Sequence, residues 1–482
     1  MEALFAESCR MQLTAPRPSS NANRVTLVVA IAIFMLALAA AIAFDKPTYA
    51  IGLGILATVP ALLAVAVRCP LLFPFGLYAI IVPVDPLLKS AGGTGGTLTR
   101  YIGILTIAAL LYHAFRLRRL NAPPASWLAW AAFMVLCFAS WAWSIAPADT
   151  QELLGIVASL FTLYTAAAVY PVSARDYVYA RRAVVVSGLL VSLYGFYAYE
   201  TGQRLGPVRL SLSSGNLHID SNHLAAFFSI PIAIVAARFF CSTSLRERIV
   251  CLALIAPMFL NVLLTGSRGG LIAATGLLVY LGIVARKYLL LAGTFALGLI
   301  ASFAIPNVWE RVFDPQLSDA SGRDEIWAVG FKAIAHYGVF GAGFGTFADA
   351  YDENLVNASQ RIFEGWHRPA HNILMQTIVD IGILGVILLL TAWWTTIAQN
   401  RSIPRRSPYY PDRIGYEAAM LAIFISALTI DLLWFKYLWL AMMLVVMLTN
   451  VVRPRLLVGR RVPQAWTRPA MRRATAQAPA RL

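Results

Sequence analysis

The stretch NVLLTGSRGGLIAAT, residues 261–275, sets Arg268 between two apolar runs, with Gly266, Gly269 and Gly270 around it. Composition decides what the flanking runs are. The 482-residue chain is 59% hydrophobic and only 13% charged, where a soluble domain carries roughly 25% charge. Many of its apolar runs reach the ~17–25 residues that a helix needs to cross a bilayer. They are continuous and do not alternate, so a lipid-facing β-barrel is excluded. The chain reads as an all-α polytopic membrane protein, and Arg268 stands where one span ends and the next begins.

Fourteen apolar runs extend this reading along the chain: 25–44, 49–67, 71–87, 101–115, 126–144, 152–170, 183–199, 222–240, 249–265, 270–285, 289–306, 372–397, 415–431 and 433–450. The third is short and carries Pro74, Pro83 and Pro86, which suggests a re-entrant segment; Asp431 and Lys436 suggest a hairpin tip between the last two. The first run has no small-residue cleavage site and reads as a retained span. With the N-terminus inside and the sides alternating, 27 of the 39 basic residues but only 6 of the 23 acidic ones fall on the inner side. That bias is the positive-inside rule, and it predicts both termini in the cytoplasm. It also accounts for the net charge of +16, so nucleic acid is not an expected partner; the basic tail faces an anionic inner leaflet. Five scattered cysteines, none expected in an outer loop, predict neither disulfide nor metal cluster.

Arg268 falls on the outer side, so it is not a cytoplasmic topology anchor. It is either an arginine snorkelling to the outer headgroups or a ligand-binding group. The glycines favour the second, because they permit positive φ and close backbone approach. Two long outer loops hold the other unusual residues. Residues 200–221 carry Arg204, Arg209, His218 and Asp220. Residues 307–371 contain SGRDEIWAVGFKAIAHYG, which predicts a helix with Ser321 as N-cap, Arg323 at its start, Trp327, Phe331 and Ile334 on one face, and Gly338 as its stop. An arginine beside free helix N–H groups suits an anion; a surface ion pair with Asp324 and Glu325 is the plain alternative. GAGFG at 341–345 lacks the strand–helix context of a dinucleotide loop and reads as a turn at the membrane surface. TFADAYDENLV after it predicts a short interfacial helix. His367 and His371 are four apart, but Pro369 between them and the lack of a third ligand argue against metal. His371 and Asn372 stand where the next span begins, with Asp380 further along it. The histidine is either an interfacial polar residue or a proton acceptor titrating near ~6.5.

Arg268, Arg323 and His371 together suit a diphosphate and a hydroxyl proton. Without a carboxylate metal motif, arginine would stabilise the leaving group. At a membrane face this points to transfer of a glycan from a polyprenyl diphosphate to an acceptor hydroxyl. TGSRGG, RDEIW with GVFGAGFGTF, and AHNILMQTIVDIGILG, in that order, resemble the O-antigen ligase and polysaccharide polymerase superfamily, over roughly residues 215–395, with GNLHIDSNHLA at the start. The resemblance implies a bacterial inner-membrane enzyme of the glycosyltransferase C class with a large periplasmic loop. It implies an undecaprenyl-diphosphate-linked glycan donor, inversion at the anomeric carbon, and no metal or nucleotide cofactor. It assigns the essential roles to Arg268, Arg323 and His371. Arg204, Arg209, Asn372 and Trp327 are expected to bind substrate. The family commonly has about a dozen spans, where this chain shows fourteen runs.

The organisation expected is a cytoplasmic N-terminus (1–24), membrane helices (25–199), a ligase-related catalytic region (200–397) holding the periplasmic loop 307–371, C-terminal membrane helices (398–450) and a basic cytoplasmic tail (451–482). The acceptor stays open between lipid A core, as for a ligase, and a lipid-linked glycan, as for a polymerase. A flippase for lipid-linked oligosaccharides is the rival from another class, although it should place charges near the bilayer midplane.

Overall fold

The computed structural model describes residues 62–88, 97–205, 209–214, 217–303, 322–355, 365–454 and 456–458. The first expected span, most of the second, Ser321 and the tail beyond 458 lie outside the described residues. Each of the other twelve expected spans is helical. In chain order the helices are α1 (Phe75–Ile81), α2 (Leu98–Arg116), α3 (Ala125–Ala139), α4 (Pro147–Val169), α5 (Ala174–Glu200), α6 (Ser221–Cys241), α7 (Leu245–Leu264), α8 (Arg268–Val284) and α9 (Tyr288–Phe303). Two loop helices follow, α10 (Arg323–Tyr337) and α11 (Phe347–Leu355), then α12 (Ile373–Arg401), α13 (Tyr410–Ala427) and α14 (Lys436–Val452). Seven are long and apolar enough to cross a membrane. The chain is a mostly helical, multi-pass membrane protein.

Two helices form the centre. In α6, 89% of the most apolar window is buried, and α14 is buried without a break from Tyr437 to Asn450. Helices apolar on every side belong inside a bundle. Around α6 pack α5, α7, α8 and α13.

Ionic contacts mark the two ends of the bundle. At one end Asp412, opening α13, binds Arg181 of α5 at 2.5 Å and Arg238, near the close of α6, at 3.3 Å. At the other end the tip between α13 and α14 meets the starts of α6, α8 and α12, as described below. Successive helices therefore alternate in direction, as the charge count requires. Lys436 at that tip binds Asp85 at 2.5 Å and Thr97 at 2.8 Å.

Those last contacts correct one expectation. The short proline-bearing run does not turn back. Cys69 at its start lies in the field of Asp176 and Arg175 at the opening of α5, and Asp85 at its far end reaches Lys436, so the run joins the two ends. Beyond Ile81 it continues as a 3-10 helix, Val82–Leu88, with Pro86 inside. A 3-10 helix rises about 2.0 Å per residue against 1.5 Å for an α-helix, which lengthens a run too short for a regular span.

At the Asp412 end, Leu456–Val458 pairs antiparallel with Leu120–Asn121, so the first part of the tail folds back on the loop after α2. The 200–221 loop is built as two small antiparallel hairpins, Arg204–Leu205 with Arg209–Leu210 and Leu212–Ser214 with Leu217–Ile219.

The 307–371 loop builds its own small core. Ile326, Val329 and Ala333 of α10 are buried with Phe347, Tyr351 and Leu355 of α11 and with Met375 and Val379 of α12. Of the face expected of α10, Trp327 and Ile334 pack partly buried against this core, while Phe331 is 64% exposed; the slimmer Ile326–Val329–Ala333 stripe forms the buried centre. The reason is close packing, since a Cβ on Gly330 would meet the Met375 side chain. Likewise α11 turns its apolar face into this core rather than towards lipid.

Candidate active site

Four helix N-termini meet at the end opposite Asp412. Helix α6 is capped by Asp220, whose carboxylate accepts the Asn222 amide at 2.7 Å. Helix α8 is capped by Ser267, which accepts the Gly270 amide at 3.1 Å. Helix α12 is capped by Asn372, which accepts the amides of Leu374 at 2.9 Å and Met375 at 3.1 Å. Helix α10 has Gly322 at its cap position, left-handed at φ 56, with no side-chain cap. Ser321, expected to cap it, lies outside the described residues. Each helix start carries partial positive charge and orphan N–H groups.

The glycines around Arg268 have separate tasks. Gly266 takes φ 56 and turns the chain out of α7. A Cβ on Gly269 would stand 2.5 Å from Thr429 Oγ1 in the α13–α14 tip, and one on Gly270 would stand 2.5 Å from the Ala225 Cβ of α6. Bare backbone thus lets the start of α8 press against both neighbours. Arg268, its first residue, remains exposed.

The charges gather into one field. Arg323 is half-buried, which lowers its pKa; Asp220 and Asp431 oppose that and Arg268 adds to it. His371 is pushed down to about 4, first by burial and then by Arg323, with Asp220 opposing. Arg209 lies in the field of Asp220 and Arg323. Its Nε donates to the Thr265 carbonyl at 3.1 Å and its Nη2 to Asn222 Oδ1 at 3.0 Å, which ties the β-hairpin to α6 and α7. Of the residues expected from sequence, Arg209, Arg268, Arg323 and His371 therefore come together. Arg204 opens the same hairpin, with Leu210 as its strand partner.

Asn372 and Trp327 lie beside His371 in supporting positions. Asn372 uses its side-chain oxygen to start α12. The Trp327 indole donates to the Ala370 carbonyl at 3.0 Å and fastens α10 to the His371 segment. His371 itself holds a left-handed backbone, φ 49, uncommon for a residue with a side chain and often found at functional sites. Its amide donates to Asp431 Oδ2 at 3.4 Å. Burial raises Asp431 to about 7, against the backbone amides of His371 and Asn372 and the charge of Arg323.

Asp431 was legible only as a hairpin tip; 60 residues separate it from His371, and nothing local marks the contact. Asp220 stood out in the 200–221 loop, but its use as a cap was not read, although an Asp one residue before an apolar helical run is a capping signal. His367 does not pair with His371. It faces Asp349 and Asp352 at 3.9 and 3.7 Å, and its possible ligand atom lies within 4.8 Å of those of Asp149 and Asp349.

Asp380 is fully buried and structural. Helix α12 breaks at Ile381 and Gly382. The freed carbonyls of Val379 and Asp380 accept the amides of Ala342 and Gly343, each at 2.8 Å. The Asp380 carboxylate accepts the Gly345 amide at 2.9 Å and Gln376 Nε2 at 3.2 Å. The GAGFG turn is thus a splint for a broken helix.

Fold and site together describe a multi-pass membrane protein with an anion-attracting site at one end of its bundle. Residues 252–390 match the O-Antigen ligase family model, which supports the resemblance to the O-antigen ligase superfamily. The segment includes Arg268, Arg323, Trp327, His371 and Asn372 and leaves out Arg204 and Arg209. No curated protein matches the chain.

Proposed function

We propose that the chain is a membrane glycosyltransferase of the glycosyltransferase C class that moves a glycan from a polyprenyl diphosphate to an acceptor hydroxyl at the periplasmic face of a bacterial inner membrane. The family match supports ligase- or polymerase-type activity in general. The observation that carries the finer reading is the meeting of four helix N-termini with Arg209, Arg268 and Arg323 beside a histidine kept neutral by its surroundings. Such a site favours a multiply charged anion and leaves a base ready at neutral pH.

In this reading Arg268 and Arg323 hold the two phosphoryl groups. The acceptor oxygen attacks the anomeric carbon from the face opposite the leaving group, so the configuration inverts. The bond from that carbon to the phosphate oxygen breaks, and the diphosphate leaves with the electron pair. His371 takes the hydroxyl proton. The growing negative charge on the leaving group is met by the arginines and helix dipoles, without metal. Asp431, Asn372 and Trp327 hold His371 in place, Arg209 orders the rim, and Arg204 is assigned to substrate binding.

The test is acceptor-resolved transfer by the purified chain, with a polyprenyl-diphosphate-linked repeat, with and without lipid A core, and with EDTA. Product on core identifies a ligase; a ladder of longer lipid-linked chains identifies a polymerase. Arg268→Ala, Arg323→Ala and His371→Ala should each abolish transfer while membrane insertion is kept. Loss of activity in EDTA would overturn the metal-free role of the arginines. Movement of intact donor across liposomes without transfer would replace the reading with a flippase.

A further inference from the structure

His223 has no role in the scheme above, yet its ring is firmly held. It is the third residue of α6. The imidazole stacks on Phe435 with centroids 3.8 Å apart and planes 19° from parallel. Its Nδ1 lies 3.1 Å from the hydroxyl of Tyr437, a buried residue in the first turn of α14, and Phe435 is the cap residue of that helix. The ring is therefore clamped between the site ends of the two central helices. Its titratable neighbours are Asp220 and His371, which sets it in the same field as Arg323.

The clamp has a chemical consequence. A tyrosine hydroxyl that donates to Nδ1 fixes the hydrogen of the neutral ring on Nε2. No hydrogen bond joins Nε2 to any described residue; Asp220 Oδ1 accepts the Asn222 amide. An N–H in a half-buried place calls for an acceptor, and Arg323 and Arg268, which share the field of Asp220, draw an anion to this end. A phosphoryl oxygen supplies what the protein does not. His223 also lies outside the matched segment 252–390, so the family match gives it no role.

We infer that His223 is a second ligand-contacting histidine, which donates Nε2–H to a non-bridging oxygen of the leaving diphosphate, with Tyr437 as the positioning residue that sets its tautomer. The inference rests on the transferase reading. No covalent bond forms at His223 and no proton leaves it. The hydrogen bond strengthens as the bond between anomeric carbon and phosphate oxygen breaks and charge collects on the diphosphate.

Four full-length proteins in detergent test this: wild type, His223→Ala, His223→Gln and Tyr437→Phe. Each is measured for turnover with lipid-linked glycan, for equilibrium binding of a short-chain polyprenyl diphosphate, and for thermal stability. His223→Ala should lose about 10- to 100-fold in turnover, the worth of one hydrogen bond to a charged group. His223→Gln keeps an N–H donor near the same place and should recover to within about threefold of wild type. Tyr437→Phe should lower turnover by roughly threefold or more with the melting temperature held. An alanine variant within about twofold of wild type in both turnover and binding overturns the inference. So does equal impairment of the alanine and glutamine variants with a lowered melting temperature, which marks a packing role. If wild type binds the diphosphate but transfers nothing, the transferase reading fails and His223 is judged by binding alone: weakening of about tenfold in the alanine variant supports it, and equal binding overturns it. Wild type that neither binds nor transfers overturns both.

Discussion

At the scale of residues, His371 is the most unusual side chain in the site. Burial and the nearby Arg323 push it down to about 4, against an ordinary ~6.5. The sign follows directly: the neutral, proton-accepting form persists as pH falls through 6 and 5, and is lost only near the lowered value. Because kcat/KM reports the free enzyme, its acid limb should fall near pH 4 rather than at the ordinary histidine value. A limb near 6.5 would mean that His371 is solvated or is not the base. Arg323→Gln removes one of the two main causes, and titration of His371 by NMR should then move upwards. Asp431 acts through the backbone. Its carboxylate accepts the His371 amide at 3.4 Å while the residue holds φ 49. Asp431→Ala should reduce transfer by about tenfold or more through misplacement of the base, and a steady-state assay would show the fall in kcat.

At the scale of elements, helix α12 does two jobs, and its break separates them. Residues before the break carry the site and pack on α10 and α11; residues after it run through the bundle. Gly382 makes the break with φ 73, and a Cβ there would collide with the Val339 carbonyl. With ψ at −175 the residue sits in a region open essentially to glycine alone, so Gly382→Ala should cost about 1–3 kcal/mol for the backbone, with the collision added. Asp380→Ala strips the Gly345 amide of its partner and should cost about 1–3 kcal/mol. Thermal melts of both variants in detergent would check these values, and unchanged melting would disprove the splint role of GAGFG. The three glycines around the start of α8 show why a pattern can be legible while its use is not. Gly266, Gly269 and Gly270 announce a tight turn, but that Gly269 faces Thr429 and Gly270 faces Ala225 follows only from packing.

At the scale of the whole molecule, the alternating direction of the helices puts arginine–carboxylate pairs at one end and the arginine–histidine site at the other. If the charge count has the orientation right, cysteine introduced at Lys332 should react with an impermeant maleimide on intact spheroplasts, and cysteine introduced at Arg405 only after lysis. The reverse pattern would invert the topology and place the site inside. Asp412 is nearly fully buried and is shared by Arg181 and Arg238, so Asp412→Ala should destabilise the bundle by roughly 3–5 kcal/mol by leaving buried charge uncompensated.

The helical spans among the described residues were legible in the residue order, and so was the choice of Arg268, Arg323 and His371 as candidates, because hydrophobic length, side-preference of charge and glycine punctuation are local properties. The tertiary structure decided the rest. It decided that the proline-bearing run crosses from end to end, that the buried stripe of α10 is Ile326–Val329–Ala333, that Asp380 holds a turn, and that Asp220, His223 and Asp431 lie near His371. Each of these depends on contacts between residues far apart in the chain, formed when the helices pack. The strength of a charge there is set by burial and by neighbours that no local pattern names.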